Sequence, residues 1–213
     1  MIWAVILAAG ESRRMGTQKL LLPFGDTTVV GAVRTTAQAS RAGRLLVVLG
    51  ADSAAIRGKL EPSGKTGASA KAGRIREIEF VVNADYHLGM LSSIQAGFVA
   101  LPTDAEAAVV MLGDQPFLAS RVIDEVIGAY EDGGRGIVIP TFGGRRGHPV
   151  LIDLKYRDKV LALDPAEGLR GLMRAHPEDI LEIDVGDANI LRDLDTPEDY
   201  ETRSPQNKEN KKV

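Results

Sequence analysis

An apolar run, Ile2 to Leu7, passes without a break into Ala8-Ala9-Gly10-Glu11-Ser12-Arg13-Arg14-Met15-Gly16-Thr17-Gln18-Lys19. No other stretch limits the fold as much. The run has the length and composition of a fully buried strand, and such strands belong to sheets covered on both faces. Small residues at its end let backbone N–H groups come close to an oxyanion. Arg14 and Lys19 set full positive charge beside those amides. A loop of this make-up at the carboxyl end of a first strand describes a phosphate cradle; the bland alternative is a Gly-rich connection with solvated arginines. Spacing excludes two familiar cradles. The P-loop has four residues between its glycines and Lys-Ser/Thr directly after the second, whereas five separate Gly10 from Gly16 and Thr17 follows. The dinucleotide pattern G-x-G-x-x-G fails at Ser12, which stands where its second glycine belongs.

Further apolar runs repeat down the chain: Leu45–Leu49, Glu79–Val82, Ala107–Leu112 and Gly136–Pro140. Helical patterns separate them. One is capped by Thr27 or Thr28 and runs to about Ala42, and a short one opens at Asp52 and ends near Leu60. Another, carrying Leu91, Ile94, Phe98 and Leu101, begins near Ser92 and Ser93 with their hydroxyls at its first amides. A fourth is capped by Ser120. Strands alternating with helices imply a mostly parallel sheet in a three-layer α/β/α fold. Thr141–Ile152 holds Gly-Gly-Arg-Arg-Gly between apolar arms and reads as a β-hairpin excursion. Helices are expected over Leu154–Leu163 and Leu169–Ala175, and an alternating strand over Ile180–Val185. Thr196 and Pro197 start a last helix. Residues 1–202 form one domain on this reading. The basic, Gly-containing stretch 61–76 is a flexible insertion, and the polar residues from 203 to 213 are a disordered tail.

Two carboxylates stand out. Asp114 follows the apolar strand Ala107–Leu112 and is well placed for a metal such as Mg²⁺, or else caps the next helix. Asp195 sits just outside the last helix, as a second metal carboxylate or a turn former. Arg145 and Arg146 at the hairpin tip read either as an anion clamp or as a solvated turn. His148, on the residues alone, reads as a structural hydrogen bond that fixes the hairpin. The chain has no cysteine, which removes disulfides, thiolate metal sites and cysteine nucleophiles. A formal charge of −3 argues against a nucleic-acid surface. No run reaches the roughly 18 apolar residues of a membrane span. No signal peptide is evident, and the cytoplasm is the expected compartment.

The pattern L-A-A-G-x-S-x-R-M-G-x-x-K, filled by Leu7, Ala8, Ala9, Gly10, Ser12, Arg14, Met15, Gly16 and Lys19, resembles the signature of the MobA-like nucleotidyltransferases. Within them it is most similar to the molybdenum cofactor cytidylyltransferases. Gly89, Met90, Ser92 and Ser93 resemble the family's second nucleotide-contacting segment, Leu112-Gly113-Asp114-Gln115-Pro116 its metal motif, and Asp193–Tyr200 its C-terminal motif, which favours Asp195 over Asp193. The resemblance implies a Rossmann-like nucleotide-diphospho-sugar transferase fold. Leu7, Ala8, Ala9, Gly10, Ser12 and Lys19 would hold the nucleotide; Arg14, Lys19 and Asp114 would act in catalysis. Asp114 and Asp195 would hold Mg²⁺, and Arg146 and His148 would meet the acceptor. It further implies transfer of CMP from CTP to molybdopterin with release of pyrophosphate. A molybdenum hydroxylase or its maturation chaperone would be the delivery partner. CTP rests on Ala9, which replaces the glycine of guanylyltransferase relatives and would crowd a purine. The rival readings are a guanylyltransferase, a transferase with another phosphorylated acceptor, and a nicotinamide-dependent reductase.

Overall fold

The computed structural model describes residues 1–61 and 77–205. The expected insertion lies outside the described residues except for Glu61, as does the tail beyond 205. The chain forms β1 (Ile2–Ala8), the short antiparallel pair β2 (Pro23–Phe24) and β3 (Thr27–Thr28), and α1 (Val29–Ala39). Then come β4 (Arg44–Leu49), α2 (Ser53–Leu60), β5 (Ile78–Val82), α3 (Met90–Ala100), β6 (Ala107–Leu112) and α4 (Ser120–Gly133). The last part adds β7 (Ile137–Phe142), β8 (Arg145–Arg146), β9 (Val150–Asp153), α5 (Arg157–Leu161), α6 (Leu169–Ala175), β10 (Ile180–Asp184) and α7 (Pro197–Arg203). No described helix is long and apolar enough to cross a membrane.

The main sheet runs β10-β7-β9-β6-β1-β4-β5, with β8 paired to β7. β1 is parallel to both β4 and β6, and β10 is parallel to β7, while β9 runs antiparallel between β6 and β7. Side chains alternate across β1: Ala4 and Ile6 join one core with α1, α2 and α4, and Trp3 and Val5 join the other with α3, α5 and α6. The three-layer α/β/α arrangement follows from this two-sided burial. β6 is buried along its whole length. The chain steps outward from β1 to β4 and β5 in one direction and to β6 in the other. The carboxyl ends of β1 and β6 therefore flank the point where strand order reverses, where open α/β sheets bind ligands.

Several local expectations need correction. The excursion after β7 is more than a surface hairpin. Val150, Leu151 and Ile152 are almost fully buried, so β9 enters the sheet instead of lying outside it. α3 begins at Met90 behind Gly89, whose φ of 103° suits only glycine, and the serine hydroxyls do not cap it. Ser120 is the first residue of α4 and not its cap. Ala119 holds that position because buried Leu118 turns the chain inward directly before it. α1 stops at Ala39, since the Ser40 hydroxyl and N–H both close on Ala37 O. The helix expected over 154–163 divides into a 3₁₀ turn, Leu154–Tyr156, and α5, because Asp153 accepts from Lys155 N–H and tightens the first turn. α7 opens with a reciprocal Thr196–Asp199 capping box and runs to Arg203, with Ser204 buried beside it.

Candidate active site

The loop after β1 folds as two tight turns. Ser12 and Gly16 take left-handed conformations, φ 54° and 66°, on either side of the 3₁₀ turn Arg13–Met15. Met15 N–H donates to Ser12 O at 2.9 Å. A second turn, Lys19–Leu21, follows. Ser12 Oγ donates to Gln18 Oε1 at 2.8 Å and accepts from Lys19 N–H at 3.1 Å. The strand end beside this loop is crowded. Gly113 N–H donates to Leu7 O at 3.0 Å, and a Cβ on Gly113 would lie 2.8 Å from that oxygen. Only glycine lets β6 finish this close to β1 and present Asp114 to the loop.

Three segments distant in sequence converge there. Lys19 Nζ donates to Asp114 Oδ2 at 2.6 Å and to Asp195 Oδ1 at 2.9 Å. Arg14 Nη1 stands 3.8 Å from Asp195 Oδ2. Leu194 N–H donates to Asp114 O at 3.0 Å and holds the C-terminal segment against the tip of β6. The Lys19 and Asp114 side chains are 14% and 18% exposed, against 46% for Asp195. Burial works against the Lys19 ammonium, but Asp114 and Asp195 together outweigh it and raise its pKa. Burial raises the Asp114 carboxyl, with the Lys19 ammonium resisting that rise. Lys19 thus stays charged.

Two carboxylates facing one cation suit Mg²⁺, which is commonly held by one or two carboxylates plus substrate phosphates and water. Among the described residues no group of three His, Cys, Asp or Glu side chains could hold a metal by itself. Asp193 also borders this centre, but its carboxylate accepts from Gln115 Nε2 at 2.6 Å.

A cavity of about 430 Å³ opens over this centre. Leu7, Ala9, Gly10, Ser12, Arg14, Lys19, Gly89, Met90, Ser93, Asp114 and Asp195 line it. Ala8 and Ser92 do not. Ala8 is buried in the core, and the Ser92 hydroxyl donates to Asp85 O and Gly89 O and accepts from Asn83 Nδ2. Asn83 Nδ2 also donates to Ser93 Oγ at 3.0 Å, so one buried amide fixes the first turn of α3. The sequence assigns nothing to Asn83, Tyr86 or Gln18, and it sets Asp193 aside in favour of Asp195. Of these, Tyr86 and Asp193 line the cavity. Asn83 carried a readable signal, a polar residue directly after an apolar strand.

A second cavity, about 810 Å³, shares Gly89 and Met90 with the first and is lined also by Arg146 and His148. Arg146 donates to Glu182 Oε1 through Nε at 2.9 Å and Nη2 at 2.5 Å, so the hairpin arginine is held by β10. His148 N–H donates to Ile190 O at 3.1 Å. Burial lowers the His148 pKa, while the Asp114 charge pulls it the other way. The net shift leaves a neutral ring at pH 7.

The sequence profile of the MobA-like NTP transferase domain matches residues 4–180. The chain belongs to that family. It is 30% identical over 208 residues to the nicotine blue oxidoreductase of Paenarthrobacter nicotinovorans, covering 92% of this chain and 93% of that one. It is 27% identical over 201 residues to the molybdenum cofactor cytidylyltransferase of Escherichia coli K12, covering 93% of each. The crystal structure of Rv0371c from Mycobacterium tuberculosis H37Rv superposes with a TM-score of 0.75 at 27% identity, over 94% of this chain and 95% of that one. A manganese complex of the same protein gives 0.71 at 25% identity, over 94% and 96%.

Proposed function

We propose that this member of the MobA-like family is a Mg²⁺-dependent cytidylyltransferase. It would transfer CMP from CTP to the terminal phosphate of molybdenum-bearing molybdopterin, releasing pyrophosphate and giving molybdopterin cytosine dinucleotide. The observation that carries this reading is the Lys19 ammonium set between Asp114 and Asp195, 2.6 and 2.9 Å away, at the mouth of a glycine-bracketed loop. The likeness to the Escherichia coli cytidylyltransferase over 93% of both chains supports the acceptor and the base. The manganese complex of a relative supports a divalent cation.

In this mechanism the loop amides and Lys19 bind the triphosphate, and the turn Gly89–Ser93 closes on the nucleoside. An oxygen of the acceptor phosphate attacks the α-phosphorus, forming one P–O bond as the bond to pyrophosphate breaks. Phosphoryl chemistry needs mainly positioning and charge neutralisation. Arg14 and Lys19 take up charge on the departing pyrophosphate. Asp114 and Asp195 would hold Mg²⁺, which would supply charge neutralisation for the phosphates. No base is needed: a phosphate monoester has a second pKa near 6 and is largely dianionic at neutral pH. Neutral His148 would serve the acceptor as a hydrogen-bond partner, and Arg146 as its cation. The product would be handed to a molybdenum hydroxylase or its maturation chaperone, in the cytoplasm.

A second reading has its own observation. The 30% identity with an oxidoreductase favours a nicotinamide-dependent reductase on the same scaffold. Pyrophosphate release with CTP, GTP, ATP and UTP, with Mg²⁺, with and without molybdenum-loaded molybdopterin, separates the two. Acceptor-dependent release with CTP alone supports the first reading, and GTP-specific release overturns its base. Silence with all four, together with metal-independent NAD(P)H oxidation, establishes the reductase.

A further inference from the structure

A glutamine amide has two N–H donors and one oxygen with two acceptor directions. Gln18 uses all four. Its Oε1 accepts from Ser12 Oγ at 2.8 Å and from Leu20 N–H at 3.4 Å. Its Nε2 donates to Gly10 O and to Asp52 Oδ2, both at 3.1 Å. The partners fix the amide's orientation. Leu20 N–H can only donate and Gly10 O can only accept, so a flipped amide would oppose both.

Asp52 shows the same commitment from the other side. It stands at the N-cap of α2, where an aspartate ordinarily accepts from the helix amides, yet its side chain makes no cap hydrogen bond. It also holds φ at 54°, a left-handed conformation costly to a non-glycine residue unless its surroundings impose it. The segment after β4 is joined to the loop a second time, by Ala51 N–H donating to Ala9 O at 3.2 Å. Gly50 permits this approach: a Cβ there would lie 2.6 Å from Ala9 O.

We propose that Gln18 is a positioning residue that holds the loop after β1 in its anion-ready shape by tying Ser12, Gly10 and Leu20 to Asp52. The proposal rests on the phosphate reading of that loop. It also reassigns Ser12. The hydroxyl hydrogen goes to Gln18 and the oxygen receives Lys19 N–H, so Ser12 braces the loop and sets the backbone of Lys19. It does not donate to a phosphate. Without Gln18 the loop samples other shapes, and ligand affinity falls by the fraction of molecules that remain competent.

The test uses Gln18→Met, which keeps length and adds no charge, and Asp52→Ala, which removes a single arm. Amide hydrogen exchange is read without ligand over residues 10–20. Affinity is read with inorganic tripolyphosphate and CTP in the presence of Mg²⁺. Gln18→Met should speed loop exchange at least tenfold with the strands of the core unchanged. It should weaken tripolyphosphate binding about tenfold, in line with losing several net hydrogen bonds, and leave kcat within threefold while KM rises. Asp52→Ala should move the same readouts less, and Asp52→Asn, which keeps an acceptor for Gln18, should restore them. Wild-type loop exchange in both Gln18→Met and Asp52→Ala overturns the proposal, as does an equal fall of exchange protection throughout the protein. Faster loop exchange in a protein that binds neither tripolyphosphate nor CTP supports the brace and sinks the nucleotide reading instead.

Discussion

Replacing Lys19 by methionine keeps an unbranched chain of similar length and removes only the ammonium. The structure sets the size of the effect. At 2.6 and 2.9 Å from two carboxylate oxygens, each contact is a Coulomb attraction of about 6 kcal/mol at an effective dielectric of about 20. Desolvating a largely buried ammonium offsets most of it. Breaking such a pair by removing one partner costs about 3–5 kcal/mol, because Asp114 is left buried without its cation. Part of that appears as lost stability, measurable by urea unfolding. The remainder appears in the transition state, where losing one fixed donor costs about 10²–10³ in turnover. The assay is single-turnover pyrophosphate release at saturating nucleotide, at a temperature where both proteins are folded. A Lys19→Met protein within threefold of wild type would refute the reasoning, since the ammonium would then be a structural counter-charge alone.

Asp114→Asn should abolish Mg²⁺-dependent turnover while the protein stays folded, and an unchanged Mg²⁺ titration would move the metal elsewhere. Ala9 is only 4% exposed beside Gly10, so Ala9→Gly should cut the preference for CTP over GTP by about tenfold, the scale of one methyl in a pocket; an unchanged ratio removes the base argument. Phe98 is fully buried between α3 and the sheet, and Phe98→Ala should cost about 3–5 kcal/mol by urea unfolding. Asp179 does not line the cavity. Burial opposes its charge, but Lys155, Tyr156 and the Gly136 backbone outweigh it and hold its pKa at about 2 against 3.8. A depressed acid stabilises above its unfolded pKa and loses that contribution as pH falls through the folded value. Asp179→Asn should therefore be destabilised at pH 7, with the gap to wild type closing between about pH 4 and 2; a gap that persists at pH 2 contradicts this.

What could be read from the sequence was local. β1 and β6 announced themselves as unbroken apolar runs, and a mostly parallel sheet followed from the alternation of strands with helices. Asp114 stood out as a carboxylate at the tip of an apolar strand, and its pairing with Lys19 could not be read locally. Thr196 and Pro197 marked the start of α7, and with it the position of Asp195. Long-range packing was not readable. Nothing in Val150–Ile152 says that β9 slots antiparallel between β6 and β7, because an inserted strand and an exposed hairpin arm share one local pattern. Gln18 stands at a variable position of the loop pattern, and its bond to Asp52, 34 residues on, could not be read locally. Only the family motif separates Asp193 from Asp195; their local composition does not. In the structure the Asp193 carboxylate accepts from Gln115 and the Asp195 carboxylate from Lys19.

The most direct measurement follows the α-phosphate. CTP labelled at that position is incubated with the protein, Mg²⁺ and molybdenum-loaded molybdopterin, and the products are separated. The account predicts that the label moves into a dinucleotide bearing cytosine, with unlabelled pyrophosphate formed in equal amount, and that Lys19→Met and Asp114→Asn stop the transfer. Label remaining wholly in CTP, with NAD(P)H consumed in a parallel reaction lacking metal, would contradict the central claim and assign the cavity to hydride transfer.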